Sequence, residues 1–257
     1  MSLPVDWTVF GIVAGIVLVT ASAVSKWRGR GLQAVNVMVL GHASSGKTTL
    51  MASMFYKLNA GLNGIVVRTD AATTKALRRY SDDMIVGKLP VANRLGDPTR
   101  YEFEFAVKAG NGVFRRSFTV VYHDYSGELL TEVDGPNPAF QEAVRDADVL
   151  MGILDGEQVY NLMRDEVEPG FLVDLATLMR QLQEGTQPVI HLILTKWDLF
   201  EGKYTLADVI DRLDRHLPFE QFHAEGANWD AVVRLIPVSA FGTNGFLVRR
   251  DQNIIVD

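Results

Sequence analysis

Apolar residues fall along this chain in short runs, separated by stretches in which they recur at helical spacing. "VNVMVL" (35–40) reads as a buried strand, and the helix that follows it starts near Gly46. "YEFEFAVKA" (101–109) alternates with period two, "NG" follows, and "FRRSFTVVYHD" (114–124) comes next. That pattern predicts two adjacent antiparallel strands joined by a tight turn. "VLMGILD" (149–155), "PVIHLILT" (188–195) and "VRLIPVSA" (233–240) are three more short apolar strands, separated by helical patterns at about 169–184 and 205–216. Strands alternating with helices predict an α/β fold: a mainly parallel six-stranded sheet with one antiparallel strand and helices on both faces. No internal repeat or low-complexity tract interrupts it.

The first apolar stretch is of another kind. "WTVFGIVAGIVLVTASAVS" (7–25) carries no charge and has the roughly 20 residues a helix needs to cross a bilayer core. A buried core helix would show a polar face, and this one shows only Thr and Ser. A cleaved signal peptide, for which "TASA" is a candidate cleavage site, would carry positive charge before its apolar run. Here Asp6 precedes the run, and Lys26, Arg28 and Arg30 follow it. The segment therefore reads as a single-pass membrane anchor, and the positive-inside rule places the remainder on the cytoplasmic side. The resulting layout is a short tail (1–6), an anchor (7–25), a linker (26–34) and one domain (35–257).

Composition narrows the functional classes. A formal charge of −6 argues against nucleic acid as a partner, because binding phosphates along a duplex needs a basic surface. With no cysteine there are no disulfides or thiolate metal sites, and five scattered histidines show no ligand spacing such as HExxH, so no structural metal is expected.

The junction between the first buried strand and its helix carries the candidate chemistry. Gly41-His-Ala-Ser-Ser-Gly46-Lys47-Thr48 fits G-x-x-x-x-G-K-[ST] in the strand–loop–helix setting that this motif requires. Its glycines let backbone N–H groups turn inward toward phosphate oxygens, and the helix N-terminus adds partial positive charge. Ala43, Ser44, Ser45 and Thr49 complete the cradle, Lys47 reaches the β- and γ-phosphates, and the Thr48 hydroxyl ligates Mg2+.

With further motifs the chain resembles the Ras- and Arf-like branch of the P-loop GTPases, within the TRAFAC class. Asp124-Tyr-Ser-Gly127 looks like D-x-x-G, Thr195-Lys196-Trp-Asp198 like [NT]-K-x-D, and Ser239-Ala240 like the S-A segment. They occur in the family's order, each at the C-terminal end of a predicted strand, where open α/β sheets bind ligands. The resemblance implies GTP or GDP with Mg2+, and a P-loop NTPase fold. Asp124 would hold the metal through water, and Gly127 N–H would contact the γ-phosphate. Asp198 would accept from guanine N1–H and its amine, and the Ser239-Ala240 backbone would read O6. The threonine that senses the γ-phosphate and ligates magnesium is placed at Thr99, just before a strand, with Thr73 and Thr74 as competitors. The anchored layout is similar to that of the β subunits of the signal recognition particle receptor.

Two positions depart from the Ras pattern. Glu128 stands where a water-orienting Gln is usual, and Ala43 occupies a loop position where bulk obstructs an arginine finger. Both bear on hydrolysis more than on binding, with Lys47, Thr99 and Glu128 as the catalytic candidates. The expectation is a switch with slow turnover, an effector, and an activating partner that stabilises the transition state. Arg94 and Arg100 are candidate internal fingers, with solvated surface arginine as the plainer reading. Between the first helix and Thr99 lies an insertion containing a predicted helix, "AATTKALRRYSDDMIVGKL" (71–89), either a partner surface or simple packing. His42, His123 and Trp197 are read as packing or hydrogen-bonded residues, and "RDEVE" (164–168) as a solvated helix entrance. The 17 residues after Ala240 lack the amphipathic helix that closes Ras-like domains. Two alternatives stay open: a non-hydrolysing, permanently GTP-bound scaffold, and a P-loop ATPase that happens to carry TKWD.

Overall fold

The computed structural model describes residues 34–42, 44–59, 65–85, 88, 99–108, 114–124, 142, 146–166, 189–216, 219–220, 233–239, 247–248 and 254–255. Strand β1 (Ala34–Gly41) leads through the glycine loop into α1 (Lys47–Asn59), followed by β2 (Ile65–Arg68) and α2 (Ala71–Ile85). The hairpin β3 (Thr99–Lys108) and β4 (Phe114–Asp124) comes next, then β5 (Val149–Leu154) and α3 (Gly156–Met163). Strand β6 (Val189–Leu194), a 3-10 turn (Trp197–Leu199), α4 (Leu206–Asp214) and β7 (Val233–Pro237) complete the domain. A separate two-stranded pair, β8 (Leu247–Val248) with β9 (Ile254–Ile255), lies in the stretch after Ala240.

The strands form one sheet in the order β2-β3-β4-β1-β5-β6-β7. Strands β4, β1, β5, β6 and β7 pair in parallel, and β3 is antiparallel to both β4 and β2. The expected count of six strands is thus corrected to seven among the described residues, still with one strand running against the rest. The additional strand, β2, is four residues long and covers the outer edge of β3 from Val107 to Glu104. Its sequence, Ile-Val-Val-Arg, does not alternate apolar with polar residues and so carries no strand signal of that kind.

Alternation in β1 explains why helices cover both faces. Val35, Val37 and Val39 join one core with Leu50, Met51, Met54 and Phe55 of α1 and Leu77 of α2. Met38 and Leu40 join the other, with Val159 and Leu162 of α3 and Val209 and Leu213 of α4. Strand β5 is buried at all six positions, as a parallel strand between two helical layers must be.

Caps set the helix boundaries. Asp155 accepts from Glu157 N–H at the start of α3, and Thr205 with Asp208 forms a capping box on α4. The inserted helix α2 buries Thr73, Leu77, Ser81 and Met84 along one stripe. Residues 164–166 of the "RDEVE" stretch form the exit from α3, and whether the stretch also leads into a helix lies outside the described residues. The Arg164 N–H closes that helix onto Asn161 and Leu162, and Asp165 turns left-handed at φ 58°. The predicted helix at 169–184 lies outside the described residues, as does the anchor at 7–25. Among the described residues no helix is long and apolar enough to cross a membrane.

Candidate functional site

The chain leaves β1 for β2–β4 on one side of the sheet and later for β5–β7 on the other. The loop after Gly41 therefore opens where the strand order reverses, the usual ligand crevice of such sheets. A Cβ on Gly41 would lie 2.8 Å from the Ile153 carbonyl oxygen and 2.9 Å from Ser45 Oγ, so only glycine lets the loop leave this close to β5. Ser44 (φ 64°) and Gly46 (φ 92°) are left-handed, and Ser45 N–H donates to His42 O at 3.2 Å. Alternating backbone hands of this kind turn N–H groups into an anion-binding concavity. Helix α1 has no acidic residue in its first turn, so its positive end is not neutralised by its own carboxylates. Lys47 Nζ donates to Gly41 O (2.6 Å) and His42 O (2.8 Å), which holds the ammonium at this loop.

Strand register brings two distant candidates to the same edge. Asp124 is level with Val39 of β1, and Thr99 is directly opposite Asp124 across the hairpin. Thr73 and Thr74 are instead built into the start of α2. Thr73 N–H and Oγ1 donate to the two Asp70 carboxylate oxygens at 2.9 and 2.5 Å, and Thr74 N–H donates to Asp70 O at 2.9 Å. These bonds hold the Asp70 carboxyl below its ordinary value, with the Thr73 hydroxyl as the largest cause. Arg100, read as a candidate finger, is exposed and pairs with Glu102 at 3.3 Å. It also faces His123 across the hairpin, where burial first and the Arg100 charge second hold the imidazole below its usual value. Ala43, Arg94, Gly127, Glu128 and Ala240 lie outside the described residues.

The loop after β6 is tied to the glycine loop by one hydroxyl. Thr195, almost fully buried, donates through Oγ1 to Ser45 O (2.8 Å) and is also within 3.0 Å of Leu154 O. Its side chain lies 3.6 Å from where a Gly46 Cβ would stand. The strand-end after β7 joins them: Trp197 N–H donates to Val238 O (3.2 Å), and Val238 N–H donates to Leu194 O (2.8 Å). The buried Ser239 hydroxyl then donates to Asp198 Oδ1 at 2.6 Å and orients an otherwise exposed carboxylate. Trp197 stacks on buried Phe200, with centroids 4.9 Å apart and planes at 11°. Ser45 of the glycine loop and segments 195–198 and 238–239 are thus bonded to one another on one edge of the sheet.

The structure adds residues that sequence reasoning passed over. Lys196 Nζ is 2.8 Å from Asp155 Oδ1 and 3.3 Å from Glu157 Oε2. The available signal was local: Asp-Gly-Glu directly after a strand is a helix-start pattern.

The family described as Double-GTPase 2 matches residues 36–232 of this chain. No protein of curated function matches it in sequence. Similar solved structures include a dimerization-deficient Toc33 from Arabidopsis thaliana, at 14% identity and TM-score 0.40, over 90% of this chain and 82% of that one. The Ski7 GTPase-like domain from S. cerevisiae bound to GTP is 14% identical with TM-score 0.44, over 90% of this chain and 47% of that one. Sup35 complexed with GDP is 15% identical with TM-score 0.41, over 84% and 38%. The chain therefore spans less than half of the Ski7 and Sup35 chains that it matches.

Proposed function

The chain belongs to the Double-GTPase 2 family, and from that premise we propose that it binds GTP and GDP with Mg2+ and works as a slowly hydrolysing switch. The carrying observation is the Thr195 hydroxyl bonded to Ser45 O, which joins the phosphate loop to the strand-end bearing Asp198. A glycine loop packed close against β5, left-handed turns at Ser44 and Gly46, and a carboxylate braced by Ser239 all fit a guanine nucleotide. The backbone of 41–49 and Lys47 would hold the phosphates, while Thr195, Lys196, Asp198, Ser239 and Ala240 would hold the base.

Thr48, Thr99 and Asp124 would hold Mg2+, which when bound neutralises charge between the β- and γ-phosphate oxygens. Placement of Thr99 opposite Asp124, with Thr73 engaged at Asp70, supports Thr99 over its competitors. Engagement of Thr99 and Gly127 by the γ-phosphate, and their release after hydrolysis, is the switching step. Glu128 orients the attacking water with less help than a Gln would give, so an activating partner completes the site. The apolar tract 7–25 anchors the domain to a membrane with the switch on the cytoplasmic side, a reading that rests on the sequence pattern.

The full-length protein, purified in detergent, is expected to carry a guanine nucleotide and to exchange labelled GDP for GTP but not for ATP. Equal displacement by ATP would remove the guanine reading. A second reading, permanent GTP occupancy without hydrolysis, is favoured by Glu128 in place of the water-orienting residue. Single-turnover measurement separates the two: GTP that survives for days with magnesium and membranes present would replace the switch by a scaffold.

A further inference from the structure

The segment Leu154-Asp155-Gly156-Glu157 belongs to none of the motifs above, yet all four residues touch the Thr195–Lys196 turn. Leu154 O accepts from Thr195 N–H at 3.1 Å and lies 3.0 Å from Oγ1. A Cβ at Gly156 would lie 1.9 Å from the Thr195 carbonyl oxygen, so α3 starts flush against the turn only because that residue is glycine. Lys196 is left-handed at φ 53°, a conformation that a residue with a Cβ keeps only when its surroundings hold it. Its ammonium is held by Asp155 and Glu157.

The two carboxylates differ in grip. The Asp155 side chain is 10% exposed, and the same Oδ1 that meets Lys196 accepts the Glu157 N–H at 2.9 Å. The Glu157 side chain is 56% exposed, and a pair so open to solvent contributes little. We infer that Asp155 is a positioning residue for nucleotide binding: by holding the Lys196 ammonium it fixes the left-handed turn that presents Asp198 to the base. The inference deepens the guanine-binding reading and rests on it.

Asp155→Asn separates this role from plain helix capping, because Asn caps as well as Asp but cannot hold an ammonium as a charge. The variant is expected to melt with the wild type and to release labelled GDP about five- to tenfold faster. In a Lys196→Ala background the same change is expected to add nothing. In nucleotide-free protein, amide exchange at residues 195–199 should rise in Asp155→Asn and equally in Lys196→Met, which leaves the cap untouched. Unchanged GDP release, or the same factor again in the Lys196→Ala background, would overturn the role. A wild type that does not retain GDP would remove the guanine reading instead. The exchange measurement still decides in that case, and unaltered protection at 195–199 in Lys196→Met overturns the inference by itself.

Discussion

The two sides of the candidate site are built differently. Around the loops after β6 and β7, side chains cross between segments far apart in sequence: Thr195 to Ser45, Ser239 to Asp198, Lys196 to Asp155. These strands are parallel and covered on both faces, so each loop leaves a rigid strand end. On the other side, Thr99 and Asp124 are brought opposite each other by the register of a hairpin, through backbone pairing. The contrast teaches that one side of the site is held by side-chain bonds between segments distant in sequence, while the other is set by backbone pairing within a hairpin.

The greatest loss is expected from Gly156→Ala. Its methyl must displace the Thr195 carbonyl, an overpacking change that typically costs about 3 kcal/mol. Denaturant unfolding should show that loss together with failure to retain GDP; wild-type stability would mean that α3 and the Thr195 turn move apart freely. Next comes Asp198→Asn, expected to weaken GDP binding about a hundredfold and to admit xanthine nucleotides, since a hydrogen-bonded charge is worth up to about 3 kcal/mol. An unchanged purine preference, measured by competition, would take Asp198 out of base reading. Thr195→Val keeps the shape but removes the hydroxyl shared by Ser45 and Leu154, and should speed GDP release about tenfold. If release stays at the wild-type rate, the two loops do not depend on that bond.

On the hairpin side, Thr99→Ala should cut the magnesium-dependent preference for GTP over GDP about tenfold, whereas Thr73→Ala should leave it alone. The reverse result would transfer the sensing role to the inserted helix. The weakest effect concerns acid. Asp70 and Asp208 have carboxyls held below their ordinary values, mainly by the Thr73 and Thr205 hydroxyls. Their contribution is complete above the ordinary carboxylate value and is lost as pH falls through the depressed one. Helix content followed by circular dichroism should therefore show a shallow decline at the acid end, and Thr205→Ala, which removes the main cause of the Asp208 depression, should make that decline shallower.

Much of this architecture was legible beforehand because its signals are local. Alternation at 101–109 followed by 114–124 marked the hairpin, and the structure pairs Tyr101 with Tyr122 and Phe103 with Val120. The glycine spacing of 41–46 marked a strand-to-helix loop, and α1 begins at Lys47. The helical pattern at about 205–216 marked α4, which runs over Leu206–Asp214. Short or non-periodic features escaped: β2 has four residues, and α3 has eight.

Local periodicity, turn chemistry and motif spacing marked most of the described strands and the strand–loop–helix junction at 41–47. They could not settle that β1 lies between β4 and β5, that β2 closes the far edge, or that Asp155 holds Lys196. Those outcomes depend on burial of both sheet faces and on contacts between residues 41 to 150 positions apart, such as Ser239 with Asp198 and Thr195 with Ser45. A one-dimensional pattern records what each segment prefers. Which partner satisfies that preference is chosen only when the whole core packs.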